Sequence, residues 1–474
     1  MDFGVVHESV ARQWRSDVLP SLSELIAIPA LSAAYDPEWA QSGRLRAAVE
    51  HMRDWIAERP DLLDASCTVV ELDGGAPLLM VDVPATAGAS PGTALLYGHL
   101  DKQPPQTGDW SDGLGPWQPV LRDERLYGRG SVDDGYSGYA AIAALSAVRA
   151  AGGEHAHAVL LLETGEESGS PDLPAYMDQL VDRLGDVTLV VCLDAGGGDF
   201  ERLWLTASLR GAVQITVTVS VLESSVHSGI AGGIVPSSFR IMRQLLDRVE
   251  DSATGEILLS ELNVEIPEDR MADARALAAL QPGFARKQFP LVDGVVAVSD
   301  DDVELILNNT WRPALSVTGA SGLPEAAVAG AVIRASTSLR LSIRTPPTVD
   351  VAAAHAALVQ ALTTDVPYGA RVDVTDVMMI NGWAAPALAP WLADALAEVG
   401  DRIFGRSPQS IGIGGGIPFM EMLGRRYPAA QFIVTGALGA DSNMHGPDEW
   451  LHVPFAIQVT EAIAALLDRH AAAV

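Results

Sequence analysis

The chain has 474 residues, too many for one compact core, and 48% of them are hydrophobic, enough to fill two or three domains. Its 31 basic against 61 acidic residues give a formal net charge of −30, which argues against nucleic acid and anionic membrane surfaces as partners, because both are polyanions. Only Cys67 and Cys192 carry thiols, MDFGVVHESVARQWRSD lacks a signal-peptide pattern, and no stretch nears the ~18 apolar residues of a membrane span, so the expectation is a cytoplasmic protein without disulfides.

Residues 5 to 28 space Val6, Val10, Trp14, Val18, Leu22 and Leu25 as one face of a helix, and Leu45 to Ala57 repeats the pattern. Strands are predicted at Cys67–Leu72, Leu78–Val83 and Ala94–Tyr97. The last breaks at Gly98 into His99 and Asp101. A glycine turn, Gly128-Arg129-Gly130, then delivers Asp133 and Asp134 ahead of a small-residue helix from Tyr136 to Ala150. Short apolar strands at Ala158–Leu162 and Thr188–Leu193 end in Glu166-Glu167 and Asp194, with a helical stretch at Pro174–Leu184 between them. Strands alternating with helices predict a mostly parallel α/β sheet, whose functional site lies at the carboxyl ends of the strands.

The texture changes near Ser208. Ala212–Val221 and Ser336–Arg344 alternate apolar and polar residues, as half-buried antiparallel strands do. Helices at Ser238–Val249 and Val351–Leu362 and a strand at Ala370–Val374 complete a two-layer α+β domain. Residues 250 to 335 read as irregular. From Trp383 the alternation of helix and strand returns, with Pro390–Val399, Ala430–Val434 and Val459–Leu467. The expected division is a catalytic domain in two parts, 1–207 and 382–474, with residues 208–381 inserted between them.

The histidine and carboxylates at these strand ends are what a hard or borderline divalent metal needs. His99 and Asp101, two apart, point the same way, which fits a ligand and the carboxylate that orients it. Asp133 and Asp134 offer a carboxylate bridging two metals and an N-cap for the following helix. Glu166 and Glu167, taken as extended neighbours, project to opposite sides, so one can bind metal while the other stays free as a general base. Asp194 is preferred to Asp199 as the first residue past its strand. His227 and His445 are loop histidines with no local signal. Arg344 lies on the polar face of its strand, where a solvated arginine is equally expected. Trp110 and Trp117 either wall the pocket or pack their own loop. Gly412-Ile413-Gly414-Gly415-Gly416 lacks the spacing and lysine of a phosphate loop, and no GxSxG elbow supports a serine hydrolase.

Taken in order, Gly98-His99-Leu100-Asp101, Leu126 through Asp134, Glu166-Glu167-Ser168-Gly169-Ser170, Asp194, Val226-His227-Ser228-Gly229 and Asn443 through Glu449 resemble the M20 family of dinuclear metallopeptidases, the group with cytosolic and carnosinase-like dipeptidases. The resemblance covers nearly the whole chain. It implies a zinc-exopeptidase-like α/β catalytic domain and an inserted α+β, ferredoxin-like lid through which the chain forms a homodimer. It implies two divalent ions, zinc first and manganese or cobalt next: His99 and Asp194 on one, Glu167 and His445 on the other, Asp133 bridging, and Asp101 supporting His99. A metal-bridging hydroxide would attack the amide of a small peptide, with Glu166 as general base. His227, Arg344 and Gly416 would bind substrate. Three positions depart from the family pattern: Gly135 replaces a lysine, Gly416 a serine and Arg334 a proline. The first two leave open an N-acyl-amino-acid amidohydrolase beside the dipeptidase, and a catalytically silent binding protein is the rival from another class.

Overall fold

The computed structural model describes residues 1–287, 289–439 and 441–473, with Pro418 by its backbone only. We number the strands of its two main sheets β1 (Ser66–Val70), β2 (Leu78–Val83), β3 (Thr93–His99), β4 (His157–Glu163), β5 (Val187–Cys192), β6 (Gly211–Ser220), β7 (Ala314–Ser321), β8 (Ser336–Thr345), β9 (Arg371–Ile380) and β10 (Gln431–Val434). The described residues form two compact units. One comprises residues 1–207, 385–411 and 422–474, the other residues 208–384 and 412–421. The segment 412–421, read from sequence as part of the catalytic domain, groups with the second unit.

The first unit holds a six-stranded sheet in the order β1-β2-β4-β3-β5-β10. β4, β3, β5 and β10 run parallel, and β1 and β2 add an antiparallel margin. β3 is buried at every residue, as a central strand covered on both faces must be. The N-terminal amphipathic stretch forms the helix Phe3–Gln13, a π turn over Trp14–Val18 and the helix Leu19–Ala27. The helix Ser137–Ala150 is buried nearly all round, and its alanines let it lie close to β3 on one side and to the long helix Val453–Ala473 on the other. The predicted helix 174–184 is two short ones, Leu173–Gln179 and Val181–Leu184.

The second unit carries an antiparallel sheet in the order β7-β8-β6-β9. The helices Ser238–Leu246 and Val351–Thr363 pack on its apolar face, where Val213, Ile215, Val217, Leu339, Leu341 and Ile343 are buried. The chain order is β-α-β-β-α-β with additional helices. Residues 250–335 are more regular than their sequence indicates. They form the helices Glu268–Leu280 and Asp302–Thr310 as well as β7. Among the described residues, no helix is long and apolar enough to cross a membrane.

Candidate metal centre

The parallel strands β3, β4 and β5 lie side by side and end together, at His99, Glu163 and Cys192, so the loops leaving them converge. His99 is the last residue of β3 and is fully buried. Gly98 before it makes this possible: a Cβ there would fall on Ser137 Oγ and lie 2.8 Å from Asp134 Oδ2, so only glycine lets the helix start against the strand.

His99 Nδ1 lies 3.1 Å from the Asp101 carbonyl oxygen and 3.4 Å from its carboxylate. His99 Nε2 faces Asp133 Oδ1 at 3.2 Å, Asp194 Oδ2 at 3.8 Å and Glu166 Oε2 at 4.0 Å. The other oxygen of Asp133, Oδ2, lies 2.9 Å from His445 Nε2, which is 3.4 Å from Glu167 Oε2. One carboxylate thus presents a separate oxygen to each of two imidazoles. Asp101 accepts the backbone N–H groups of Glu166 and Glu167, at 3.3 and 3.1 Å, so it braces the acidic turn as well as the imidazole. His99, Asp101, Asp133, Glu166, Glu167, Asp194 and His445 therefore meet in one unit.

Two local expectations need correction. Glu166 and Glu167 are not extended: with Ser168 they form one 3₁₀ turn, in which neighbours diverge by about 120°, so the two carboxylates still separate. Asp134 does not cap the helix with its side chain. The helix begins at Ser137 without a side-chain cap, and Asp134 Oδ2 instead accepts the backbone N–H of His99 at 3.3 Å. Trp110 and Trp117 pack in their loop, under the charges of Arg129 and Lys102 respectively.

Burial dominates the electrostatics. It pushes Glu166 up to about 7, with Asp101 and Asp133 adding to the rise against the pull of His99. It pushes Glu167 up to about 8, again with Asp133 adding, and lifts Asp194 well above the carboxylate range beside Asp134 and Asp133. The Asp133 hydrogen bond raises His445 to about 9. Burial works against the charged form of His99, yet its bonds to Asp101 and Asp133 outweigh it and leave this group well above the usual histidine value. Asp133 is held low despite burial by the two imidazoles.

The donor set fits divalent cations. Ligand atoms of His99, Asp133 and Glu167 lie within 4.8 Å of one another, as do those of His99, Asp134 and Asp194. Buried Asp134 Oδ1 has no hydrogen-bond partner among the described residues. Several crowded carboxylates with two imidazoles supply the mixed O/N ligation that zinc, manganese or cobalt takes.

Sequence reasoning missed the residues that hold the ligands. Gln103 Nε2 donates to Glu167 Oε2 at 2.6 Å, and Gln106 Nε2 to the His445 carbonyl oxygen at 2.7 Å. Lys102 is buried, with Nζ donating to the carbonyl oxygens of Leu25, Ile26 and Ile28 at 2.7, 3.2 and 2.7 Å, the end of the helix Leu19–Ala27. Gly135, where the family pattern has lysine, sits tight on the Gly130 carbonyl oxygen, with no room for a side chain. A lysine directly after the His99-Leu100-Asp101 motif was the available signal.

His227, Arg344 and Gly416 belong to the second unit. His227 is exposed, and its Nδ1 accepts the Gly229 N–H at 3.1 Å. Arg344 is half-buried on β8, opposite Ala212 of β6 and Ala314 of β7. Arg210, also missed from sequence, donates to the carbonyl oxygens of Gly414, Asn308 and Arg312 and to Asn309 Oδ1. Gly416 lies against the Arg210 backbone. Burial and the charge of Arg344 bring Arg210 down to about 10.

The chain is 25% identical over 380 residues to the cysteinylglycine-S-conjugate dipeptidase of Corynebacterium striatum, covering 78% of this chain and 79% of that one. It is 28% identical over 395 residues to the human Beta-Ala-His dipeptidase, covering 80% and 76%. The fold matches the crystal structure of human carnosine dipeptidase 1 with a TM-score of 0.74 at 23% identity, over 99% of both chains. It matches the dipeptidase Dug1p of Saccharomyces cerevisiae with a TM-score of 0.73 at 20% identity, over 100% of this chain and 99% of that one. The family model for peptidase family M20/M25/M40 matches residues 95–469, from the strand that ends in His99 to the long C-terminal helix, and the chain belongs to that family.

Proposed function

We propose that this chain is a metal-dependent hydrolase that cleaves the amide bond of dipeptides or similar small peptides in the cytoplasm. The carrying observation is Asp133, whose Oδ1 faces His99 and whose Oδ2 faces His445. That is the arrangement of a carboxylate shared by two ions. His99 and Asp194 would hold one ion and Glu167 and His445 the other, zinc being the favoured metal and manganese or cobalt the alternatives. When bound, the ions supply Lewis-acid polarisation and lower the pKa of water. Glu166, a buried carboxylate that binds no ion in this reading, takes the proton of the attacking water and returns it to the leaving amine. Asp101 keeps the imidazole of His99 turned so that Nε2 faces the ligand cluster.

The second unit serves as lid and dimer contact in this reading. Arg344 pairs with the substrate carboxylate, a planar donor fork against a planar acceptor. His227 stabilises the charge on the amide oxygen, and Gly416 leaves room for the substrate backbone. The relatives named for dipeptide substrates support the dipeptide class.

The test is amine release from metal-loaded protein on free dipeptides and N-acyl amino acids, with and without chelator. Chelator-sensitive cleavage of free dipeptides is expected. Cleavage of blocked substrates alone would make the chain an amidohydrolase, and metal binding without turnover on either panel would overturn the hydrolase reading. Sedimentation at micromolar concentration should give a dimer, and a monomer would remove the lid contact.

A further inference from the structure

One richly bonded carboxylate of the first unit, Glu449, is none of the candidate ligands. Glu449 is fully buried. Its Oε2 accepts Arg129 Nη1 at 2.6 Å, and its Oε1 accepts the backbone N–H groups of Gly130, Val132 and Asp133 at 2.9, 3.3 and 3.4 Å. Its own carbonyl oxygen accepts the Gly128 N–H at 3.0 Å. One side chain therefore gathers the whole turn that ends in Asp133. On its other side Glu449 roots the loop that carries His445. Trp450 N–H closes that loop onto the Ser442 carbonyl oxygen at 3.1 Å, and Trp450–His452 pairs antiparallel with Arg125–Tyr127.

His445 needs such an anchor. Its φ is +61°, and Asn443 and Asp448 in the same loop are also left-handed, at +53° and +57°. A histidine in that region persists only where its surroundings over-determine it. His445 is itself half exposed, so burial does not fix it.

We propose that Glu449 is a positioning residue that sets His445 against Asp133 and thereby fixes the second metal position. The proposal rests on the two-ion reading above. The chemistry calls for a carboxylate. Three N–H groups and a guanidinium converge on it, and two ionised oxygens can accept all four. Glutamine keeps one acceptor oxygen but turns an NH₂ toward donors. Aspartate keeps the charge and falls one methylene short. The first ion would share Asp133 with the second, but its other ligands, His99 at the end of β3 and Asp194 just past β5, are not among the hydrogen-bond partners of this carboxylate, so it should be the less affected of the two.

The experiment is calorimetric titration of zinc into metal-free full-length protein, with metal content after gel filtration, on the parent, Glu449→Gln and Glu449→Asp. The parent is expected to take up two equivalents. Failure to do so overturns the two-ion reading itself, before any variant is compared. Both variants are expected to weaken one equivalent by about 10- to 100-fold, the range for residues that orient metal ligands, and the other, through the shared Asp133, by clearly less. Circular dichroism of the metal-free proteins should be unchanged. Cobalt loading should shift the visible bands of one ion more than those of the other. Parental affinity for both equivalents in either folded variant overturns the proposal, and so does an equal loss of both, the mark of a merely structural role. Glu449→Asp, the milder change, carries the test if Glu449→Gln does not fold.

Discussion

Glu166→Gln removes the proposed proton acceptor and leaves His99, Asp133, Glu167, Asp194 and His445 in place. The variant should bind metal as the parent does and lose about 10²- to 10⁴-fold in kcat, checked by steady-state kinetics beside metal analysis. Glu163 offers a separate residue-scale prediction. It ends β4 between the hydroxyls of Tyr97 and Ser170, and burial pushes it up to about 8 from 4.5. The folded chain keeps a proton that the unfolded chain has lost, so this group's contribution is complete below 4.5 and declines as pH rises toward 8. The melting temperature of the metal-free protein should fall across that range, and Glu163→Gln should make the fall shallower. Residues of the two kinds differed in how far sequence disclosed them. His99 and Asp194 stand where apolar runs break and Asp133 follows a glycine turn, so patterning marks them. Glu163 stands at such a break and Glu449 at none, yet neither discloses its burial, because a buried, fully bonded glutamate and a solvated one are written with the same letter. Their burial follows only from which loops meet.

Strand and helix are tied most closely at Gly98. Glycine there lets the start of the helix Ser137–Ala150 approach β3. Gly98→Ala should push Ser137 and Asp134 away from the strand, destabilise the protein by about 1–3 kcal/mol, as overpacking does, and lower metal content together with stability. Urea denaturation of metal-free protein measures the first, and metal analysis the second. Parental stability would show that the helix start can move. The elements read best from sequence are those with a clean period. β2 falls at its predicted residues, and β6 and β8 within a residue or so, since alternation or an unbroken apolar run specifies them. The helix Glu268–Leu280 escaped for the opposite reason. Only Ala274 and Leu277 of it are buried, so its sequence shows no apolar stripe. The π turn at Trp14–Val18 does not interrupt the apolar spacing around it, so one predicted helix covers three observed segments.

At the scale of the whole molecule, metal should stabilise what the carboxylates destabilise. Glu167, Asp194 and Asp134 crowd one buried volume, and ions that bind only the folded chain raise its stability by mass action, by about 2.7 kcal/mol at a hundredfold excess over Kd. Adding zinc to metal-free protein should therefore raise the melting temperature, and chelator should reverse it. An unchanged melting temperature would mean that the cluster holds no ion. The two-unit organisation was legible because the period of the sequence changes near Ser208. The allocation of residues 412–421 was not, because a glycine-rich turn carries no period of either kind.

The six-stranded sheet has a consequence in time. β5 and Asp194 just past it leave the ribosome about 250 residues ahead of β10 and His445, and at 5–20 residues per second that interval is roughly 10 to 50 s. Throughout it the entire second unit is being made, β5 waits as an open edge, and the nascent chain carries six of the seven residues of the candidate metal centre, all but His445. The candidate centre is complete only when the chain has returned to close its own sheet, so a chain released from within the inserted unit lacks His445 and leaves β5 unpaired on that side.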